Sequence, residues 1–139
     1  MTPPDDVLAA RLQGVLDVPL HRWLGVRLAD PHDPRAGIVL PVGPVALNNA
    51  GMLHGGIVSA LLDVAAYVCL LPDLAPEENA VTHDATSSLM RAVREGATVQ
   101  LRATVVHRGR SVAFLRSEAD VDGRAVAVGQ VTKSILRGR

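Results

Sequence analysis

The stretch NNAGMLHGGIVSALLD, residues 48–63, decides the fold of this chain. A glycine pair, Gly55-Gly56, opens an apolar run from Ile57 to Leu71 in which Asp63 is the only formally charged side chain. A carboxylate buried without a partner costs on the order of several kcal/mol or takes up a proton. The run therefore predicts a buried helix whose single carboxylate has either a partner or a chemical task.

The residues ahead of this helix are suited to binding an electron-rich oxygen. Glycine amides at a helix N-terminus are free to donate hydrogen bonds to an anion or a carbonyl oxygen. Asn48 and Gly51 add a polar side chain and a flexible turn just before them. One segment thus combines an amide donor with the Asp63 carboxylate, and this combination favours acyl chemistry.

Composition excludes several other classes of function. The 139 residues predict one domain, 1–139, and carry 14 basic and 14 acidic side chains with a net charge of +0. The balanced charge and the scarcity of aromatic residues argue against nucleic acid as a partner. The lone Cys69 excludes an internal disulfide, and without clustered His it makes a metal site improbable. We expect a cytoplasmic protein, because the N-terminus lacks a basic signal region and no run reaches the ~18 apolar residues of a membrane span.

The order of elements predicts an α+β domain. Residues 1–20 are expected to form an N-terminal helical extension, in which Asp5 or Asp6 caps the helix and Pro19 ends it. Two short strands, the apolar helix and four long strands follow, and they are expected at Trp23–Leu28, Gly37–Val42, Gly55–Leu71, Val81–Arg91, Thr98–His107, Val112–Val121 and Ala125–Leu136. The Asp122-Gly123 turn is a strong hairpin signal. A helix that is apolar on nearly all sides must be surrounded, so we expect the strands to curve around it.

Six residues of the deciding segment resemble, in identity and spacing, the motif N-x-x-G-x-x-H-G-G-x(6)-D of the hotdog-fold thioesterases: Asn48, Gly51, His54, Gly55, Gly56 and Asp63. The likeness is to the branch that acts on aryl- and phenylacetyl-type coenzyme A esters, and it covers roughly residues 35 to 136. It implies a hotdog fold, with a long central helix wrapped by a curved antiparallel β-sheet and here an extra N-terminal helix. It also implies an acyl-CoA thioesterase for small or medium acyl groups, aromatic ones included.

The resemblance implies four catalytic residues. Asp63 would be the general base or the nucleophile, and the amide of Gly55 would polarise the thioester carbonyl. Asn48 would orient the lytic water or the carbonyl region. Thr82 lies on the first long strand, two residues before Asp84, where the family often has an assisting Ser or Thr.

The resemblance also implies a substrate-binding set. His54 and Gly56 flank the carbonyl site, with Gly56 mainly in a steric role. Arg91 stands where the family usually has Arg-Pro, although Ala92 takes the place of the proline here. The turn Arg108-Gly109-Arg110 resembles the hairpin whose basic residues meet nucleotide phosphates. No bound cofactor is implied, since coenzyme A is part of the substrate.

The helix geometry predicts a dimer independently of the family. Asp63 lies eight residues beyond Gly55, which is roughly 12 Å along a helix axis. A base or nucleophile must come within about 3 Å of the reacting group. A two-fold dimer solves this by placing Asp63 of one subunit near Gly55 of the other. The resemblance further implies that two such dimers pair into a tetramer.

Each assignment has a simpler structural alternative. Ser59, Asp63 and Tyr67 share one helix face, so the carboxylate could be satisfied by a neighbouring hydroxyl. We expect His54 to cap the helix rather than act as the base. The loop composition around Asn48 leaves a turn and a functional role equally open. Thr82 is a second-tier candidate, since threonine is a common strand residue, and Arg108 and Arg110 could form a solvated hairpin tip.

Two other functions remain open on the same fold. One is a module that binds or senses acyl-CoA without hydrolysing it. The other is a hotdog dehydratase or hydratase, which would need a His together with a carboxylate. Which acyl group is the substrate, and whether Asp63 acts as base or nucleophile, lie beyond the sequence.

Overall fold

A long helix lying against a curved antiparallel sheet forms the centre of the molecule in a computed structural model, which describes residues 2–138. The terminal residues of the predicted 1–139 domain lie outside the described residues. The helices are α1 (Asp5–Leu16), α2 (Pro19–Leu24) and α3 (Gly55–Leu70), and the strands are β1 (Arg27–Leu28), β2 (Ile38–Pro41), β3 (Glu78–Leu89), β4 (Thr98–Arg108), β5 (Val112–Val121) and β6 (Arg124–Arg137). The six strands have the order β1-β2-β4-β5-β6-β3, with antiparallel neighbours throughout. This architecture confirms the predicted α+β hotdog fold.

Helix α3 supplies the centre of the hydrophobic core. Its buried residues pack against the inward side chains of the sheet, and the most fully buried of them are Leu61, Leu62, Ala65, Ala66, Val68 and Leu70. Burial of one leucine side chain is worth about 1.5–3 kcal/mol, so this packing is the main source of stability. By length and hydropathy alone, Gly55–Asp73 would also qualify as a membrane span. Because the helix lies inside the curve of the sheet, its apolar composition is that of a core helix.

One flank of α3 is open, contrary to the expectation that the helix is surrounded. Gly56 and Ala60 are exposed on this flank, and Val64 and Tyr67 farther along it are half-buried. The flank borders β3, which is the last strand of the sheet and is exposed from Val81 onward. Natural proteins seldom leave a long edge strand uncovered, because its free backbone groups pair readily with another chain.

A β-bulge interrupts β3 beside the middle of α3. Thr82 pairs with Lys133 and Asp84 pairs with Thr132, so His83 is an extra residue on the β3 side. Successive residues of a regular strand point to opposite faces, and a bulge shifts that alternation by one. Thr82 therefore faces α3, whereas Asp84 faces away from it.

The N-terminal segment departs from the prediction in two places. Pro4 is the N-cap residue of α1, and Asp5 and Asp6 lie in the first turn instead of capping it. Their charges still favour the positive end of the helix dipole. Pro19 begins helix α2 rather than only ending α1, because its fixed φ suits the first helical position. The predicted strand Trp23–Leu28 consequently shrinks to Arg27–Leu28.

Strand boundaries shift by a few residues elsewhere. Strand β3 begins at Glu78 instead of Val81 and ends at Leu89 instead of Arg91. The turn after β5 has positive φ at both Asp122 (49°) and Gly123 (79°). These angles fit the tight hairpin turn that the Asp-Gly pair predicts.

A buried ion cluster joins the ends of three strands to the N-terminal helix. Glu78 is only 5% exposed, and its carboxylate accepts hydrogen bonds from Arg108, from Arg137 at 2.7 Å and from the amide of Ala75 at 3.1 Å. Arg11 of α1 donates to four backbone carbonyls of the adjoining segment, at Leu74, Ala75, Pro76 and Glu78. Burial alone would raise the pKa of Glu78, but the Ala75 amide and the two guanidinium groups outweigh it and lower the pKa.

We expect Glu78→Gln to lower the free energy of unfolding by about 1–3 kcal/mol, because two arginines lose a buried carboxylate. Glu78 contributes its full stabilisation above the ordinary carboxyl pKa of 4.5. This stabilisation is lost as the pH falls through the lower pKa that Glu78 has in the folded state. Urea titrations between pH 7 and pH 3 should therefore show the gap between wild type and variant closing on the acid side. Glu77→Gln, an exposed neighbour, is the control. An equal loss at every pH would contradict the assignment.

Candidate active site

The carboxylate of Asp63 lies halfway along α3 and faces strands β3 and β6. Thr82 Oγ1 lies 2.7 Å from Asp63 Oδ1 and 2.9 Å from Oδ2. Lys133 Nζ donates to Oδ1 at 2.8 Å and to Thr82 Oγ1 at 2.8 Å. The structure thus brings together Asp63 and Thr82, two of the predicted catalytic residues, and adds a lysine that the sequence analysis did not select.

This cluster borders a cavity of about 460 Å³ between the N-terminal helices, α3 and the edge of the sheet. The lining is mostly apolar, and its principal members are Val15, Val18, Val64, Tyr67, Ala80 and Val81. The side chain of Asp63 is 31% exposed and so is accessible from the cavity. Burial raises the pKa of the Tyr67 phenol, opposed by Arg11, and the phenol donates to Asn79 Oδ1 at 3.1 Å.

Lys133 could have been found from the strand pattern. Val131, Lys133 and Ile135 alternate toward the core along β6, and the first and last of these are buried apolar residues. A lysine in the inward register of such a strand needs a buried counter-charge. The missing information was its partner, which lies 70 residues away in the sequence.

A second cluster of predicted residues lies at the N-terminus of α3. Gly55, Asn48 and Arg91 line a cavity of about 340 Å³ together with Leu89 and other residues. Gly55 is the first residue of the helix. Its amide donates no hydrogen bond within residues 2–138 and so remains available to a ligand.

His54 caps this helix end, as the sequence analysis expected. Its Nδ1 accepts a hydrogen bond from the amide of Gly56 at 2.9 Å. An added Cβ at Gly56 would lie 3.1 Å from the His54 ring, so Gly56 keeps room for the cap. With Nδ1 accepting from Gly56, the neutral ring carries its proton on Nε2, so neither ring nitrogen is placed to take a proton from a dehydratase substrate.

Asn48 and Arg91 both have structural contacts. Asn48 Oδ1 accepts from the amides of Ala50 at 2.9 Å and Met52 at 3.1 Å, which is the turn role considered above. Both contacts use the oxygen, and among residues 2–138 the side-chain amide nitrogen makes no hydrogen bond, so it is available to a ligand. Arg91 donates to the carbonyl of Ala125, which ties the end of β3 to the start of β6.

The hairpin Arg108-Gly109-Arg110 lies apart from both clusters, at the end of the sheet that holds the buried Glu78. Arg108 donates to the Glu78 carboxylate, to the Gly109 carbonyl at 2.7 Å and to the Asp73 carbonyl at 3.4 Å. Arg110 is an exposed residue of the turn. Arg110 is therefore the member of this hairpin that is free to meet a phosphate.

The two clusters lie on different parts of one chain. Eight residues of α-helix rise about 12 Å, and this spacing separates the Gly55 amide from Asp63. The two halves of the predicted site therefore do not come together within one chain.

Comparison with known proteins connects this geometry to a family. A family model described as the thioesterase superfamily matches residues 50–128, which include Gly55, Asp63 and Thr82. No curated protein matches the chain significantly.

Several solved structures share the fold over most of the chain. A thioesterase family protein from Silicibacter pomeroyi is 25% identical, with 94% of this chain and 99% of that chain covered and a TM-score of 0.83. A mutant form of the phenylacetic acid degradation protein PaaI from Thermus thermophilus is 27% identical, with 84% and 97% covered and a TM-score of 0.75. A Bacillus halodurans protein solved with CoA is 26% identical, with 94% and 84% covered and a TM-score of 0.79.

We expect His54→Ala to lower the free energy of unfolding by about 1 kcal/mol, because the Gly56 amide loses its acceptor. His54→Asn should retain most of that stability, since asparagine is a good N-cap residue. Urea unfolding at neutral pH measures both variants. Equal losses in the two variants would show that the ring contributes through packing instead.

Proposed function

The chain belongs to the thioesterase superfamily and is a thioester hydrolase, and from that premise we propose that it hydrolyses acyl-CoA with small or medium acyl groups, aromatic ones included. The observation that carries this proposal is the Asp63 carboxylate at the wall of the apolar cavity, held by Thr82 and Lys133. The cavity suits an acyl group, and coenzyme A arrives as part of the substrate, so the proposal needs no resident cofactor. The CoA in the Bacillus halodurans structure adds support.

The proposed reaction begins with attack on the thioester carbonyl carbon. Water attacks while Asp63 takes its proton, or Asp63 attacks first and water then hydrolyses the acyl anhydride. In either route the carbonyl oxygen gains negative charge, which the Gly55 amide and the helix dipole would stabilise. Collapse of the tetrahedral intermediate breaks the carbon–sulfur bond, and the products are a carboxylic acid and free CoA.

We propose that the active unit is a homodimer with two shared sites. Asp63 and Gly55 of one chain are too far apart for one carbonyl, whereas two α3 helices packed antiparallel would pair each Asp63 with the other chain's Gly55. The open flank of α3 and the unpaired edge of β3 support this arrangement. Val81, Leu89 and Met90 are 44–53% exposed along the same edge, and a second copy would cover them. Pairing of dimers into a tetramer belongs to the same proposal.

The remaining predicted residues take part in binding coenzyme A under this proposal. Asn48 and Arg91 share a cavity with Gly55, so they would contact the thioester end of the coenzyme. Arg110 would bind a phosphate, for which a guanidinium is well suited. Arg108 would act mainly by fixing the hairpin through Glu78.

We expect Asp63→Asn to reduce kcat by about 10²–10⁴-fold, because the variant cannot accept a proton or form the anhydride. Thiol release from short, long and aryl acyl-CoA esters measures this loss. Asp6→Asn, which removes an exposed carboxylate in α1, is the control and should retain full activity. Near-normal kcat in Asp63→Asn would contradict the assignment, and tight binding without turnover in the wild type would favour a sensing module.

We expect Gly55→Pro to reduce kcat by about 10²–10³-fold, because proline removes the amide donor. The backbone suits this change, since Gly55 is the first helical residue and His54 has ψ 126°, as is usual before proline. Gly55→Ala is the matched control. It keeps the amide and adds the same Cβ, which would lie 2.5 Å from Leu89 Cδ1 unless that half-exposed side chain moves. Equal losses in both variants would point to crowding instead.

Coexpression of Asp63→Asn with Gly55→Pro tests whether the sites are shared. If the two variants pair at random, about half of the dimers are heterodimers. Each heterodimer has one intact site and one inactive site, so about a quarter of wild-type activity should return. Isolated heterodimers with no activity would show that each site uses residues of one chain only. Size-exclusion chromatography of the wild type supplies the oligomeric state for this calculation.

A further inference from the structure

We propose that Lys133 is a positioning residue for the thioesterase reaction, which fixes the Asp63 carboxylate so that Oδ2 is the reacting oxygen. This inference rests on the proposed function. Lys133 lies outside the segment that carries the motif, on the last strand of the sheet. The burial of Lys133, its hydrogen bonds and the unequal contacts of the two Asp63 oxygens support this role.

The burial of Lys133 requires a specific explanation. It is the only lysine among 14 basic residues, and its side chain is 4% exposed. Lysine is almost never fully buried unless it is paired, because the removal of an ammonium group from water is unfavourable even after the protein relaxes around it. The partner here is Asp63, the only charged side chain of α3.

The contacts of Lys133 join it to Asp63, Thr82 and Tyr67. An ammonium group has three N–H donors. One is directed to Asp63 Oδ1 and one to Thr82 Oγ1, each at 2.8 Å. The ammonium also lies 5.3 Å from the centre of the Tyr67 ring, within the range of a cation–π contact. The Lys133 side chain is 4% exposed and that of Asp63 is 31% exposed, so Asp63 is the member of the pair that is open to a substrate, and Lys133 acts through it.

The same contacts distinguish the two oxygens of Asp63. Oδ1 accepts from Lys133 at 2.8 Å and lies 2.7 Å from the Thr82 hydroxyl, whereas in the described part of the chain Oδ2 has only the longer Thr82 contact of 2.9 Å. Thr82 has a single hydroxyl proton, so it serves one oxygen at a time. Oδ2 therefore keeps the lone pairs that can take a proton from water. In the base route that proton moves to Oδ2 and then to the departing thiolate sulfur.

The bulge in β3 completes the arrangement. Thr82 and Lys133 are direct cross-strand partners, and the extra residue His83 follows at once. Because directly paired residues of neighbouring strands point to the same face of the sheet, both side chains face α3 and contact the carboxylate from two strands. Three separate elements thus fix one carboxylate, which is the arrangement expected for a preorganised catalytic group.

The test compares Lys133→Met, which removes the charge and the donors, with Lys133→Gln, which keeps donors without the charge. We expect kcat to fall about 10–100-fold in Lys133→Met and less in Lys133→Gln, with KM for acyl-CoA within about twofold of wild type. Arg116→Met, on the outer face of the sheet, is the control and should match wild type. Removal of one member of a buried ion pair destabilises the fold, so thermal unfolding verifies that each variant is folded at the assay temperature.

Substrate binding in the Asp63→Asn background separates positioning from a general structural role. The affinity for an intact acyl-CoA should be the same in Asp63→Asn and in Asp63→Asn with Lys133→Met. A large loss of affinity, or a rise in KM with normal kcat, would overturn the inference by making Lys133 a binding residue. Wild-type kcat in folded Lys133→Met and Lys133→Gln would overturn it as well.

The outcomes also distinguish this inference from the proposed function. An active wild type, an inactive Asp63→Asn and fully active Lys133 variants would refute only the role of Lys133. A wild type that hydrolyses none of the esters would refute the proposed function, and the inference that rests on it would fall too. If Lys133→Met does not fold, the Lys133→Gln result decides the question.

Discussion

The interaction on which the site depends is the one between the Asp63 carboxylate and the ammonium of Lys133. Helix α3 must be apolar to fill the sheet, and a single charge at its middle is tolerated only with a partner of opposite sign. The sheet supplies that partner from β6 and a hydroxyl from β3. The need to pair the Asp63 charge therefore determines the position of α3 against the edge of the sheet. In this position the carboxylate lies beside the cavity.

The same helix carries the other half of the chemistry at its N-terminus, and its own length keeps the two halves apart. A helix can bring its amide donors and its carboxylate together only by meeting a second helix that runs the other way. The uncovered flank of α3 and the unpaired edge of β3 lie where such a meeting would occur. In the proposed dimer, stability, assembly and catalysis are coupled through this one helix. A change that improves the packing of this flank would also change the distance between the two halves of each site.

The sequence predicted the parts of the structure that depend on local patterns. The apolar run after Gly55 marked α3, and alternation with an Asp-Gly turn marked the long strands, because both signals arise within a few residues. The short helix that begins at Pro19 was missed, since six residues are too few to show a helical period. Lys133 was missed for another reason. Its partner is 70 residues away, and only the completed sheet shows that both point into one cavity.

The β-bulge at His83 divides strand β3 into two halves. The residues that face α3 alternate separately within each half. The half before the bulge aims Thr82 at the carboxylate, and the half after it places Ser87 against Ser59 and Leu89 beside Gly55. Loss of His83 itself would leave Thr82 opposite Lys133 and Asp84 opposite Thr132 in regular alternation, so both halves would keep their facing. Loss of a residue between Asp84 and Leu89 would instead turn Leu89 away from the helix start, so a one-residue deletion separates the cavity from the helix start beyond the bulge but not at it.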